Sequence, residues 1–234
     1  MIPIRAVLLD FDGVIAHTEP HMFGALWSFF GFKNIRIQKS EWDRSGFAAK
    51  SIRQIVDYLN ESYGYTIDFD EMIAHIDEQQ AKSMSAGLET DPSLLVFFRY
   101  CQDNHIQLAI GSNSRANRVI RILGIMGISQ YFLGDTLGIH DHLNIIGAED
   151  LSYHKPDPEV WIRSAERLNV PLSECLVIED GLPGLLGAKA CGARSIYYHH
   201  FRHPDKECLK NANYGISDFS QVIDFIESHN VLTK

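Results

Sequence analysis

The sequence predicts an α/β protein in which helices cover both faces of a mostly parallel, doubly wound sheet. Short apolar runs typical of buried strands alternate with helical patterns from residue 91 onward, and this alternation is typical of parallel sheets. Another strand-like run lies at residues 4–11, before a long stretch with helical spacing only. The sequence therefore also predicts a helical module inserted directly after the first strand.

Composition places the chain among globular proteins with one sizeable core, or with one core and a smaller domain. Of the 234 residues, 45% are hydrophobic and 22% are charged, which is ordinary for such proteins. The net charge of −9 disfavours binding to nucleic acid or to an anionic membrane. The four cysteines show no C-x-x-C spacing, so we expect neither a disulfide framework nor a zinc site. No signal peptide or membrane span is predicted, so the expected location is cytoplasmic.

The predicted helical module divides the chain into two domains. Between His17 and about Ala86 no convincing strand run occurs, and apolar residues recur at helical spacing in three groups. Glycines at positions 31, 46 and 64 separate these groups. We therefore expect a core of residues 1–15 and 88–234, and a helical module of residues 16–87.

The later elements follow from the same patterns. Strands are predicted at residues 106–111, 145–147, 175–178 and 195–198. Helices are predicted after Pro92, around residues 119–125, and at residues 158–168, 184–190 and 220–227. Residues 133–144 are irregular, with two glycines, two histidines and two aspartates, and no role is assigned to them.

Two carboxylates, Asp10 and Asp12, follow the first predicted strand and precede Gly13. Side chains two residues apart on an extended segment point the same way, and two like charges held together are unfavourable without a cation. The pair therefore points to a divalent metal and to phosphate chemistry. Taken alone, it is equally well explained as an acidic strand-to-turn junction, because D-x-D is common by chance.

Other polar residues end the neighbouring strands. Ser112 and Asn113 follow the second strand, Glu179-Asp180 follows the fourth, and Lys155 lies in a loop before a helix. In parallel sheets, ligands bind beyond the carboxyl ends of the strands. We therefore expect these residues to converge with Asp10 and Asp12, although a lone serine is more often a helix cap and a lone lysine more often solvated.

This set of side chains fits phosphoryl transfer. Asp10 can attack phosphorus, and Asp12 can protonate the leaving oxygen and then deprotonate the attacking water. Asp10, the backbone carbonyl of Asp12 and Asp180 can bind Mg²⁺, which prefers oxygen ligands. The Ser112 hydroxyl and nearby N–H groups, including that of Asn113, suit phosphate oxygens, and Lys155 adds a positive charge. The histidine-rich stretch at residues 199–203 is interpreted as a surface loop.

The chain resembles the haloacid dehalogenase superfamily of phosphohydrolases, in the branch with a small helical cap that includes β-phosphoglucomutase and sugar-phosphate phosphatases. The resemblance rests on four stretches in the family's order, which together span most of the chain. They are Leu9-Asp10-Phe11-Asp12-Gly13-Val14, Gly111-Ser112-Asn113-Ser114, Lys155-Pro156-Asp157-Pro158 and Ile178-Glu179-Asp180-Gly181-Leu182-Pro183-Gly184. This resemblance implies a Rossmann-like catalytic core with residues 16–87 as the cap.

The resemblance also implies roles for single residues. Asp10 would be the nucleophile and Asp12 the general acid and base, while Asp180 would bind Mg²⁺. Glu179 would bind the metal directly or through water. Ser112 and Lys155 would hold the phosphoryl group. Lys50 matches a cap loop that often touches substrate, although a solvated lysine is the better explanation of this residue.

Three positions depart from the family pattern. His17 stands where the first hinge often has an aspartate, and Gly181 stands where a serine is common. Met22 stands where the mutase carries a histidine, and His21 beside it would face elsewhere on a helix. The absence of that histidine disfavours mutase activity.

We therefore expect a Mg²⁺-dependent phosphatase that hydrolyses a small phosphorylated metabolite, a sugar or sugar-acid phosphate, through an aspartyl-phosphate. The alternative is a phosphosugar mutase. A dehalogenase is disfavoured because it needs neither the second aspartate nor a metal, and a non-catalytic binding module because all core catalytic positions are filled. A receiver domain lacks the helical insertion. The expected state is a monomer or weak dimer.

Overall fold

The computed structural model describes residues 2–38, 40–42, 52–132 and 144–230. It divides the chain into two units. The first unit contains Met1–Thr18 together with Leu88–Lys234, and the second contains Glu19–Gly87.

A six-stranded sheet is the centre of the first unit. Its strands are β1 (Ala6–Leu9), β2 (Gln107–Gly111), β3 (Ile145–Ile146), β4 (Cys175–Glu179), β5 (Arg194–Tyr198) and β6 (Tyr214–Ile216). Their spatial order is β3-β2-β1-β4-β5-β6, and every neighbouring pair is parallel. The order reverses at β1, where a doubly wound sheet places its ligand site.

Both faces of the central strand are covered. All four residues of β1 are buried, and successive side chains of a strand point to opposite faces. Ala6 and Leu8 pack in a cluster with Val160, Trp161 and Ala188. Val160 and Trp161 lie on the helix that follows β3, and Ala188 lies on the helix that follows β4. The finding confirms the predicted α/β class and explains the apolar run at residues 6–9, because a strand buried on both faces has no polar side.

Helices connect the strands of the first unit. They are α4 (Leu94–Asp103), α5 (Ala116–Met126), α6 (Glu159–Leu168), α7 (Leu182–Ala190), α8 (Lys206–Asn211) and α9 (Phe219–Asn230). Gly127 caps the C-terminus of α5 with a positive φ of 67°, and its N–H donates to the carbonyls of Leu123 and Gly124. The elements α8 and β6 have no counterpart among the sequence predictions. Each is short, and Tyr214 and Gly215 of the edge strand β6 are exposed, so no apolar run marks it.

The described part of the second unit is helical. It contains α1 (Glu19–Phe32), α2 (Ile52–Tyr63) and α3 (Phe69–Ala86). Asp68 caps α3 by accepting the N–H of Glu71 at 2.8 Å. Apolar residues of the three helices form one core, which includes Phe29, Leu59 and Met72. Among the described residues, none of the helices is both long and apolar enough to span a membrane.

Candidate active site

The carboxyl ends of β1, β2 and β4 lie side by side. Leu9 of β1 is in register with Ile110 of β2 and with Ile178 of β4. Asp10 follows β1 directly, Ser112 follows β2, and Glu179 is the last residue of β4. The register of the parallel sheet therefore brings polar residues that are far apart in sequence to one edge.

Lys155 joins Asp10 to Glu179. Its ammonium group donates a very short hydrogen bond to Oδ1 of Asp10 and another, 2.8 Å long, to Oε2 of Glu179. All three side chains are at most 9% exposed. Burial alone would lower the pKa of Lys155, but the charges of Asp10 and Glu179 outweigh it and hold this pKa above its usual value. Lys155 is thus a buried, permanently charged group between two acids.

Two further contacts fix Lys155. Its ammonium nitrogen lies 4.4 Å from the centroid of the Trp161 ring, a cation–π contact. Its backbone N–H donates to Oδ1 of Asn113 at 3.1 Å. The Trp161 indole N–H in turn donates to the carbonyl of Gly184 at 2.9 Å. These contacts connect the loops after β2 and β3 with the helices α6 and α7.

Asp180 is the third acid of the cluster. Its Oδ2 forms an ion pair with Arg202, with a distance of 2.9 Å to NH2. Gly13, with φ +84°, passes so close that a Cβ there would lie 2.2 Å from this oxygen. A side chain at position 13 would therefore displace the Asp180 carboxylate.

Asp10, Glu179 and Asp180 form a candidate cation site. One ligand oxygen from each lies within 4.8 Å of the others. Burial, and next the charge of Glu179, raises the pKa of Asp10 to about 7. Burial and the charge of Asp10 likewise raise the pKa of Asp180 to about 7, and burial raises that of Glu179. The positive charges of Lys155 and Arg202 do not offset this crowding, and three oxygen donors suit a hard divalent cation.

Asp12 stands apart from this cluster. Its Oδ1 accepts hydrogen bonds from Thr18, at very short range, and from Arg118 at 2.9 Å. Its Oδ2 accepts from Ser114 at 2.7 Å and from Arg118 at 3.1 Å. Burial alone would raise the pKa of Asp12, but the charge of Arg118 and the four hydrogen bonds lower it below its usual value. The Asp12 side chain does not belong to the described group of candidate metal ligands.

The structure places the remaining predicted residues as follows. Ser112 is buried, and its hydroxyl accepts the N–H of Ser114 at 3.0 Å. Asn113 is exposed and binds the backbone of Lys155. Phosphate binding by these two residues stays a prediction. Lys50 and residues 133–143 lie outside the described residues.

Four site residues were not predicted from the sequence. Thr18, Ser114 and Arg118 surround Asp12, and Arg202 contacts Asp180. Arg202 belongs to the histidine-rich stretch that was interpreted as a surface loop. Its position after β5, the neighbour of β4, is the signal that could have placed it at this edge.

Replacing Gly184 with alanine is expected to lower activity about 100-fold, since a displacement of about 1 Å at a reacting centre has an effect of this size. A Cβ at this position would lie 2.3 Å from the carboxylate of Glu179 and would push it off Lys155. Steady-state kinetics measure the effect. Gly124→Ala in α5 is the control, because nothing lies within 4 Å of its Cβ position. Equal activity of both variants would show that the contact between Glu179 and Lys155 does not matter for the reaction.

The family model of haloacid dehalogenase-like hydrolases matches residues 4–192. The chain belongs to this family. The match covers every residue of the acidic cluster and Lys155. The protein is therefore a hydrolase of the haloacid dehalogenase-like type, and its family generally uses a divalent metal.

Relatives of this hydrolase carry phosphatase and mutase names. It is 27% identical over 194 residues, 82% of each chain, to YhcW of Bacillus subtilis, which is provisionally named a phosphatase. It is 22% identical to a phosphorylated carbohydrates phosphatase of Thermotoga maritima, with 83% of this chain and 84% of the relative covered. It is 26% identical to β-phosphoglucomutase of Bacillus subtilis, with 81% and 80% covered.

Solved structures share the fold. The crystal structure of β-phosphoglucomutase from Clostridium difficile superposes with a TM-score of 0.74 at 22% identity, and 98% of each chain is covered. This likeness extends over both units of the hydrolase and concerns the fold.

Proposed function

We propose that this hydrolase is a Mg²⁺-dependent phosphatase that releases phosphate from a small phosphorylated metabolite, a sugar or sugar-acid phosphate. The observation that carries the proposal is the buried cluster of Asp10, Lys155, Glu179 and Asp180 at the carboxyl edge of the sheet. The names of the relatives in Bacillus and Thermotoga support the reaction and the substrate class.

Asp10 is the nucleophile in this proposal. One of its carboxylate oxygens attacks phosphorus, the ester bond to the metabolite breaks, and an aspartyl-phosphate forms. Because the pKa of Asp12 lies below its usual value, Asp12 first takes up a proton from solvent and then gives that proton to the leaving oxygen. Water then attacks the phosphorus and loses its proton to Asp12, the bond to Asp10 breaks, and inorganic phosphate leaves.

Lys155 and Ser112 bind the transferring phosphoryl group in the proposed mechanism, and Asn113 orients Lys155 through its backbone N–H. The permanent charge of Lys155 favours the anionic phosphoryl oxygens near Asp10. The carboxylates of Asp10, Glu179 and Asp180, with the backbone carbonyl of Asp12, would hold Mg²⁺. When bound, Mg²⁺ would neutralise charge on the phosphoryl oxygens. Residues 16–87 are proposed to be the cap that selects the substrate, with Lys50 as one substrate contact.

A phosphate-release screen tests the proposed function. The purified protein is incubated with a panel of phosphorylated metabolites in the presence of Mg²⁺ and, separately, of a chelator. We expect release from a subset of sugar or sugar-acid phosphates with Mg²⁺ only. A protein that releases phosphate from no metabolite and from no aryl phosphate would sink the proposal.

Adding Mg²⁺ is expected to raise the melting temperature more at about pH 8 than at about pH 5. In the metal-free protein, the pKa values of Asp10 and Asp180 are raised to about 7 from the ordinary value of 3.8. The folded state therefore holds more protons than the unfolded state between these values, so stability falls as pH rises through this window. Mg²⁺ would bind the deprotonated carboxylates. A Mg²⁺ concentration of about 100 times Kd adds about 2.7 kcal/mol to the free energy of unfolding.

Thermal unfolding with and without Mg²⁺ at the two pH values measures this effect. An Asp180→Asn variant serves as the reference for a damaged site and should show a smaller shift. A shift of equal size at both pH values, or none at either, would contradict the assignment of the three carboxylates to a cation.

A phosphosugar mutase is the second candidate, and the relative named β-phosphoglucomutase supports it. Met22 disfavours it, because this residue packs against the apolar core of the second unit and offers no proton. Phosphorus NMR of the protein with a hexose 1-phosphate separates the two candidates. Conversion to the 6-phosphate without free phosphate would favour the mutase.

A further inference from the structure

Three side chains donate hydrogen bonds to the carboxylate of Asp12. Its two oxygens accept four hydrogen bonds from three side chains, Thr18, Ser114 and Arg118. An ionised carboxylate has about four lone-pair sites, so this arrangement fills them. The Ser114 hydroxyl donates to Asp12 and accepts from Arg118 at 2.9 Å, which makes the donors themselves a connected set.

Arg118 is the member of this set that reaches both oxygens. Its NH1 lies 2.9 Å from Oδ1 and 3.1 Å from Oδ2 of Asp12. Thr18 binds Oδ1 only and Ser114 binds Oδ2 only. When a leaving oxygen takes the place of one donor, NH1 can therefore keep its bond to the other carboxylate oxygen.

The side chain of Arg118 is held in place by its burial and by the packing of its helix. Its side chain is 10% exposed, and it lies on α5, whose Val119 and Ile122 are buried in the core. A nearly buried guanidinium has few rotamers open to it, so the carboxylate that it binds is fixed as well. This is the arrangement expected of a group that must present one oxygen to a reacting atom in a defined direction.

We propose that Arg118 is a positioning residue that sets the direction in which Asp12 exchanges its proton with the leaving oxygen. The assignment rests on the proposed phosphatase function. Arg118 acts through Asp12 and does not bind the phosphoryl group, which Lys155 and Ser112 hold. Its loss therefore affects those substrates that need a proton on the leaving oxygen.

Two probes with different leaving groups test this role. The leaving group of an alkyl phosphate is a strongly basic alkoxide unless its oxygen is protonated. The leaving group of 2,4-dinitrophenyl phosphate, the dinitrophenolate, departs without a proton. The value of kcat/KM reports the steps up to departure of the leaving group. For Arg118→Met we expect kcat/KM to fall about 10- to 100-fold with the alkyl phosphate, part of the usual contribution of a general acid, and to stay nearly constant with the dinitrophenyl ester.

A double-mutant cycle gives the second readout. In an Asp12→Asn background, Arg118→Met should cause no further loss with the alkyl phosphate, because the group that Arg118 positions is already absent. Arg118→Lys should recover part of the activity, since an ammonium can still donate to Asp12. Arg121→Met is the matched control: Arg121 is exposed, one turn along α5, and its replacement should leave both probes unchanged.

Each result decides between alternatives. Equal losses with both probes, or a loss that persists in the Asp12→Asn background, would overturn the assignment and indicate direct substrate binding or damage to the fold. If Arg118→Met does not fold, the same comparison with Arg118→Lys decides, since its loss must again be confined to the alkyl phosphate. A wild-type protein that releases phosphate from neither probe would instead refute the proposed function itself.

Discussion

An Asp10→Asn variant is expected to lose turnover by about 10⁴-fold or more, the range seen when a nucleophile is removed. Asparagine has nearly the same shape, but its amide cannot attack phosphorus or form the aspartyl-phosphate. It also offers no negative charge to Lys155, so that of the two ion pairs of Lys155 with Asp10 and Glu179 the one with Glu179 would remain. Phosphate release with the best substrate of the panel measures the loss.

Rapid acid quenching with labelled substrate gives a direct test of the same residue. The wild type should retain label on the protein during turnover, and Asp10→Asn should retain none. Asp224→Asn on the exposed side of α9 is the control and should behave as the wild type. Label on the Asp10→Asn protein, or turnover within about tenfold of the wild type, would refute the nucleophile assignment.

A Lys155→Met variant is expected to lose both activity and stability. Turnover should fall about 100- to 1,000-fold, because in the proposed mechanism one charged donor to the phosphoryl group is removed. Stability should fall because Asp10 and Glu179 would be left buried without their shared cation. Breaking a buried ion pair in this way costs about 3–5 kcal/mol when the remaining charge stays ionised.

The stability loss of Lys155→Met should depend on pH. Without Lys155, the raised pKa values of Asp10 and Glu179 rise further. Asp10, whose pKa is about 7 even with Lys155 present, is then neutral in the folded protein at about pH 5, and the loss is small. At about pH 8 the buried carboxyls must either ionise without a partner or stay protonated far above their ordinary pKa, and the loss is large. Denaturant unfolding at both pH values measures the difference. Lys206→Met, an exposed change at the start of α8, is the control, and equal losses at both pH values would contradict the explanation.

The acidic cluster could be predicted from the sequence because it depends on the sheet alone. Asp10, Glu179 and Asp180 follow buried apolar runs, and parallel strands place such positions at one edge. Lys155 could be added because it lies in a loop before a helix of the same sheet. The strand ends were correct to within about two residues, which is the usual precision of boundaries.

The surroundings of Asp12 could not be predicted in the same way. Arg118 sits three residues into a helix, where an arginine is ordinarily solvated, and only the packing of α5 turns it toward Asp12. Arg202 was likewise not predicted, because it lies in a histidine-rich stretch after β5 and only the fold brings it to Asp180. Strand β6 could not be predicted because its sequence has no apolar run, and its place at the sheet edge depends on pairing with β5.

The crowding of Asp10, Glu179 and Asp180 also bears on protein engineering. In the absence of a cation, replacing one of these acids with a neutral residue of similar shape relieves repulsion between buried charges. A library of variants sorted by heat resistance alone, in metal-free buffer, would therefore enrich sequences with a damaged acidic cluster. On the proposed metal assignment, sorting in the presence of Mg²⁺ would reverse this preference, because the cation would stabilise the folded protein most where all three carboxylates remain.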